Sequence, residues 1–191
     1  MLKKRKNSSD YPALILVTLC LSICSVIPAY AGELPPSVTH PSCITCKGSL
    51  SSQGRWCNNH DGTVTDMTTG LVWLFDASWG GMYPMWRESA QDTAYDRATL
   101  VGPGNPASLT DGSVRGDWSL PTINQLKSLV TGTEAISLSN TYFFEGVQDN
   151  AYWSNTAYNG SIVWILSLDD GNIHPNYKWV NAYVWPVRQI K

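Results

Sequence analysis

The run Gly-Asp-Trp-Ser-Leu-Pro-Thr-Ile-Asn-Gln-Leu-Lys-Ser-Leu, residues 116–129, constrains this chain more than any other stretch. Pro121 pushes Leu120 towards extended geometry, so no helix runs into it from the left. Thr122 is placed to accept a hydrogen bond from the amide of Gln125, and Gln125 to reach back, which makes Thr122-x-x-Gln125 a capping box. Ile123, Leu126, Leu129 and Val130 then fall on one helical stripe that must be buried, and Gly132 is a stop. Trp118 and Leu120, two apart, are expected on one face of the preceding strand. The stretch reads as strand end, turn and helix start. It is a packing device, not a catalytic motif.

The first 31 residues are not part of a fold. Lys3-Lys4-Arg5-Lys6 is a basic n-region, 13–27 an apolar core and Ala29-Tyr30-Ala31 an A-x-A cleavage site, together a secretory signal peptide. The apolar run is shorter than the ~20 residues that a spanning helix needs, so no membrane span is expected in the mature chain. The other processing route, through Leu21-Ser22-Ile23-Cys24, puts bulky Ile23 where a small residue is needed. Export to the periplasm, cell surface or medium follows. Without residues 1–31, which hold four cations and Asp10, 9 Lys and Arg face 14 Asp and Glu, a formal charge of −5. That balance argues against nucleic-acid or anionic-membrane partners, which need a basic surface.

Residues 32–54 are rich in Pro, Ser, Gly and Thr and read as an extended arm. They contain Cys43-x-x-Cys46, and Cys57 follows. With Cys20 and Cys24 lost to the signal peptide, three cysteines remain, an odd number. One local disulfide is the simple reading in an oxidising compartment. The sharper one adds His60, because Cys43-x2-Cys46 with Cys57-x2-His60 is a four-ligand zinc set. Otherwise no cofactor is expected. A thioredoxin-like role needs the pair at a helix N-terminus, and Pro41 and Gly48 flank it instead. Covalent haem needs His where Lys47 stands.

Residues 55–191 read as one domain. Asp61-Gly62 and Thr69-Gly70 are turns around the β-favouring Thr63-Val64-Thr65 and Leu71-Val72-Trp73. Residues 76–84 read as a loop. From Trp86, the positions Trp86, Ala90, Ala94, Ala98 and Val101 predict a first helix with a small-residue face, and Arg87, Glu88, Asp92, Asp96 and Arg97 a solvated one. Residues 102–116 form a long surface loop, a candidate for specificity. After the second helix, Tyr142, Phe143 and Phe144 plug the core. Strands follow at Tyr152-Trp153-Ser154, Ile162–Leu168 and Tyr183–Arg188, with a turn at Asp169-Asp170-Gly171. Pro186 marks an edge or bulge. The fold class is α+β: two helices packed on a compact, mainly antiparallel sheet with long loops.

Asp117-Trp118-Ser119-Leu120-Pro121-Thr122, completed by Leu126, resembles the signature of the Lcl C-terminal domain family, the terminal domain of bacterial collagen-like adhesins. Asp61–Asp66, Thr69–Trp73, Tyr152-Trp153-Ser154, Trp164 with Leu168-Asp169-Asp170-Gly171, and Val187-Arg188 arrive in the family's order. The resemblance covers about residues 55–188 and marks Trp118, Leu120, Pro121, Thr122, Gln125, Trp153, Trp164 and Arg188 as its structural motif. It implies a C-type lectin-like fold and a binding module that, in the adhesins, forms trimers and takes sulfated polysaccharides. This chain carries no Gly-X-Y stalk and is acidic. Relatives often have cysteines where Asp96 and Pro186 stand, so that pair is absent here.

No catalytic set emerges. The mature histidines, His40, His60 and His174, sit in arm, turn and hairpin, and no nucleophile elbow, phosphate loop or two-His metal motif is present. Asp169 and Asp170 are neighbours on a hairpin and so face apart. The chain is therefore read as an exported, non-enzymatic recognition domain for a polysaccharide or protein at a cell surface. The alternative is a structural subunit of an envelope assembly linked through cysteines. Nine Trp and nine Tyr are many, and while core is the first use of any one of them, surplus aromatics serve as sugar-stacking platforms or partner surfaces. Trp79, Tyr83, Tyr158 and Tyr177 lie in Gly-, Asn- and Pro-rich contexts and are the candidate ligand-binding residues.

Overall fold

The computed structural model describes residues 44–85, 93–106, 108–137 and 142–191. The signal-peptide reading of residues 1–31, the arm up to Cys43, and Trp86, Arg87, Glu88, Ala90 and Asp92 of the first helix lie outside them. Ten strands and two helices follow in order: β1 Ser49–Leu50, β2 Trp56–Asn58, β3 Thr63–Asp66, β4 Leu71–Leu74, β5 Met82–Pro84, α1 Ala94–Thr99, α2 Ile123–Leu129, β6 Ala151–Ala157, β7 Ile162–Ser167, β8 Asn172–Tyr177, β9 Asn181–Tyr183 and β10 Val187–Gln189. None of the described helices is long and apolar enough to cross a membrane.

The capping box forms as read from the sequence. Thr122 Oγ1 accepts from the Gln125 amide at 3.2 Å, and Gln125 Oε1 accepts from the Thr122 amide at 2.7 Å. Ile123, Leu126 and Leu129 are buried. A second box, Thr93-x-x-Asp96, starts α1. Asp96 is thus a helix cap, not part of a solvated face. Arg97 is not solvated either: its Nε donates to the Gly80 carbonyl at 3.1 Å, and its guanidinium lies 5.1 Å from the rings of both Trp79 and Tyr83.

One sheet was expected, and two are present. The first has the order β1-β2-β3-β4-β10, the second β5-β9-β6-β7-β8. All pairings are antiparallel except β6 with β9. The expected last strand, Tyr183–Arg188, is split between them: β9 ends in the second sheet and β10 joins the first beside β4. Val184, Trp185 and Pro186 make the crossing; the Pro186 carbonyl accepts from the Leu74 amide at 3.4 Å, and because Pro186 has no N–H to return, the Leu74 carbonyl is free for a side-chain donor. The loop expected at 76–84 ends in β5. The strand expected around Trp118 and Leu120 reduces to a single bridge, Ser119 to Val187. Both side chains are buried, but in different clusters.

The larger cluster is aromatic. Trp185 meets Trp73, Phe144 and Tyr152 with ring centroids 5.0–5.6 Å apart, and its indole N–H donates to the Leu74 carbonyl at 2.9 Å. The Trp73 indole N–H is buried with no acceptor among the described residues. Phe144 plugs this core and Phe143 packs partly against it, whereas Tyr142 is 87% exposed and does not. The smaller cluster gathers Ala94 and Ala98 of α1 with Leu120, Trp153, Val163 and Ile165. Gly80 permits the close approach of the crossing segment: a Cβ there would stand 2.1 Å from the Val184 carbonyl oxygen.

A buried ion pair ties the start of the domain to α2. Arg55 Nη2 lies 3.0 Å from Asp66 Oδ2, with side chains 5% and 0% exposed. The same guanidinium donates to the carbonyls of Ser128, Thr131 and Thr133. It therefore satisfies acceptors at the helix C-terminus, where a cation is also favoured by the helix dipole. Glu134 completes the tie by accepting from Ser51 and from the amides of Gln53 and Arg55. Arg55→Met should destabilise the domain by about 3–5 kcal/mol in urea unfolding, because Asp66 is left buried and unpaired. A loss below about 1 kcal/mol would show that the pair is dispensable.

Candidate functional site

The candidate residues fall into three places. Trp79 and Tyr83 are partly buried against the two cores and enclose Arg97 between them, Tyr83 on the edge strand β5. The Tyr83 carbonyl also accepts from the Trp153 indole at 2.6 Å. These contacts are those of packing. Tyr158 and Tyr177 lie instead at the other end of the second sheet, where β8 is the opposite edge. Tyr177 pairs with Ile162 across the ladder and stacks on Trp179, with centroids 4.5 Å apart and planes at 19°. Tyr158 meets Trp164 edge-on at 5.1 Å. Cross-strand partners share a face, so Ile162, Trp164 and Tyr177 lie on one side of the sheet. Trp164 also packs partly on the larger core, which anchors this aromatic end.

Cys46 and Cys57 form a disulfide with Cα atoms 5.6 Å apart. It fastens the described part of the arm to β2 beside the β1–β2 ladder. Two of the four zinc donors are thereby joined to each other and offer no thiolate, and Cys43 lies outside the described residues. His60, with φ of +60°, directs Nε2 to Ser49 Oγ at 2.8 Å.

A third place is built around Arg188. Its Nε and Nη2 both contact Asp111 Oδ2, at 3.1 and 2.7 Å, and its guanidinium lies 5.2 Å from the Trp118 ring. Trp118 Nε1 donates to Ser113 Oγ at 2.8 Å, and Ser113 donates to Asp111 Oδ1 at 2.6 Å. Burial raises the pKa of Asp111, but the bonds from Ser113 and the Arg188 charge outweigh it and hold the carboxyl below 3.8. The loop 102–116 is thus pinned in its described part: Leu109 and Ser113 are buried, and Thr110 donates to the Asp61 carbonyl. Two clefts flank Arg188. One of about 590 Å³ is lined by Lys47, Asn59, Asp61, Asp111 and Lys191 among others, and one of about 460 Å³ by Asp117, Thr122, Gln125 and Asn155.

The model of the Lcl C-terminal domain matches residues 62–188. The chain belongs to this family. No curated protein matches it.

Within the Lcl C-terminal domain, the residues read from the sequence as its structural motif have distinct positions. Trp118 and Arg188 stack on each other, Leu120 and Trp153 fill the smaller core, and Thr122 and Gln125 cap α2. The match starts after Cys46, Cys57 and the arm, and it includes the aromatic end of the second sheet. Sequence reading missed Trp179, the one described tryptophan that is more than a third exposed. It also missed Arg55, Glu134, Asp111 and Ser113. Asp111-x-Ser113 carried a local signal, since an Asp accepting from the residue two ahead is a turn device.

Asp111 is lowered from its ordinary value, so its stabilising effect is present above about 3.8 and lost as pH falls through the folded value. Acid unfolding below pH 4 should therefore be shallower in Asp111→Asn, which should also be less stable than wild type at pH 7. Equal slopes would mean that Asp111 is not linked to acid unfolding. Reducing the disulfide should lower stability by about 3 kcal/mol, from the chain-entropy estimate for a loop of this size. Urea unfolding with and without dithiothreitol measures it.

Proposed function

We propose that this Lcl C-terminal domain is an exported, non-enzymatic recognition module of adhesin type, binding a glycan or protein at a cell surface. One observation carries the reading: Tyr158, Tyr177 and Trp179 stand 55%, 48% and 55% exposed together at one end of the second sheet. Trp73, Trp118, Trp153 and Trp185 are by contrast nearly inaccessible, and the other exposed tyrosines, Tyr95 and Tyr142, belong to α1 and to the chain before β6. Keeping a tryptophan in water when it could be buried is unfavourable, and contiguous exposed apolar surface marks interaction sites. Family membership supports the adhesin-type reading, and the A-x-A site after the apolar core supports export.

The module works without a cofactor. Its side chains are tied in structural bonds: His60 to Ser49, His174 to Asp170 at 2.7 Å, and Asp111 to Arg188. The C-type lectin-like placement belongs to the same reading and is supported by the capped helix after Leu120-Pro121 and the arginine-bearing last strand. So does assembly into trimers, by analogy with the collagen-like adhesins.

The test is an array of sulfated polysaccharides, neutral polysaccharides and matrix proteins, probed with the mature chain at low and at physiological salt. Retention of a partner at physiological salt is the expected result. Binding confined to low salt would be weak electrostatics and would count against the reading, as would no binding.

A further inference from the structure

We infer that the aromatic end of the second sheet is an open shelf for a neutral polysaccharide, with pyranose rings stacked on Trp179 and Tyr158. The inference rests on the recognition reading and narrows its ligand. A pyranose ring has an apolar face of C–H bonds and a rim of hydroxyls. It therefore needs a flat apolar surface beneath and polar groups or water around it. Tyr177 and Trp179 supply the flat surface: because the two rings stack on each other, each has one face occupied and neither can collapse inward. Tyr158, in the β6–β7 turn and held edge-on by Trp164 of β7, supplies a second contact beside the strand that Tyr177 borders. Asn159 follows Tyr158 in the β6–β7 turn, where its Oδ1 accepts from the Ser161 and Ile162 amides.

Shape and charge choose the class. Neither cleft is lined by any of these aromatics. A small molecule needs most of its surface enclosed, whereas a polymer can lie across an open shelf and bind through repeated contacts. Residues 155–164 and 175–180, which build this end, carry no carboxylate and one lysine, while Asp169 and Asp170 lie in the turn at the opposite end of the β7–β8 hairpin. Lys178 donates to the Gly160 carbonyl at 2.8 Å. A polyanion site needs several cations, and Lys47, Arg188 and Lys191 line the larger cleft instead. An uncharged chain is the ligand that this surface matches.

Titration calorimetry of the mature chain, with hydroxyethylcellulose and laminarin as neutral polymers and heparin as the polyanion, tests this at physiological salt. At least one neutral polymer should bind. Trp179→Ala and Tyr177→Ala should weaken that binding by roughly tenfold or more, Trp179→Phe by less, with unchanged melting temperatures. Neutral-polymer binding untouched by Trp179→Ala would overturn the site. Binding of heparin or a matrix protein but of neither neutral polymer would overturn the ligand class while leaving the recognition reading in place. Binding of nothing on the array would remove both.

Discussion

Trp185 has to be buried and its indole N–H has to be bonded, and meeting both demands fixes where the two sheets join. Its chain segment leaves β9 in the second sheet and enters β10 in the first. The ring fills the space between Trp73, Phe144 and Tyr152, while the N–H reaches the Leu74 carbonyl at the end of β4. Each aromatic partner comes from a different element, so the core closes only once both sheets are formed. Burial raises the Tyr152 phenol pKa, and its oxygen is satisfied by the Gln148 amide at 2.8 Å. A smaller residue at 185 would leave a cavity among four elements and one unbonded carbonyl.

Around this core, long polar side chains do what regular structure does not. The helices are short, at six and seven residues, and helices of that length have little stability of their own. Each has a capping box at its start, and α2 has the Arg55 guanidinium at its end. Arg188 does the corresponding work for the loop 102–116, holding Asp111 while covering Trp118. These arginines donate to several acceptors at once, which a lysine could not match in the same planar geometry. Much of the irregular chain is thereby held by specific bonds.

The sequence was most legible where structure is local. The Thr122–Gln125 box, the turns at Asp61-Gly62 and Asp169-Gly171, and the burial of Ile123, Leu126 and Leu129 depend on neighbours a few residues away. What could not be read depends on distance. Arg55 and Ser128 are 73 residues apart, and Arg188 and Asp111 are 77 apart. Nothing in the periodicity announces such pairs. The split of Tyr183–Arg188 between two sheets was hidden for a related reason, since an apolar run with one proline reads the same whether it bends or crosses. Among the candidate site residues, composition selected Tyr158 and Tyr177, which share an exposed end, together with Trp79 and Tyr83. The latter pair lies in an equally polar context but encloses Arg97. Local composition does not separate them, because the partner that half-covers those rings comes from another element.

The clefts beside Arg188 and the aromatic end of the second sheet differ in chemistry. The clefts beside Arg188 hold charges of both signs, and their cations are largely engaged: Arg188 by Asp111 and Lys191 by Asp117 at 2.6 Å. A polyanion arriving there would compete with carboxylates already in place, and would gain little beyond what it displaces. The aromatic end has no such competition. Its rings are held by each other and by Trp164, so no side-chain pair must open before a ligand makes contact. Contacts that are preformed lose the least ordering entropy on binding. The domain therefore places its charged groups where they stabilise the fold and leaves its uncharged rings where they can meet a partner.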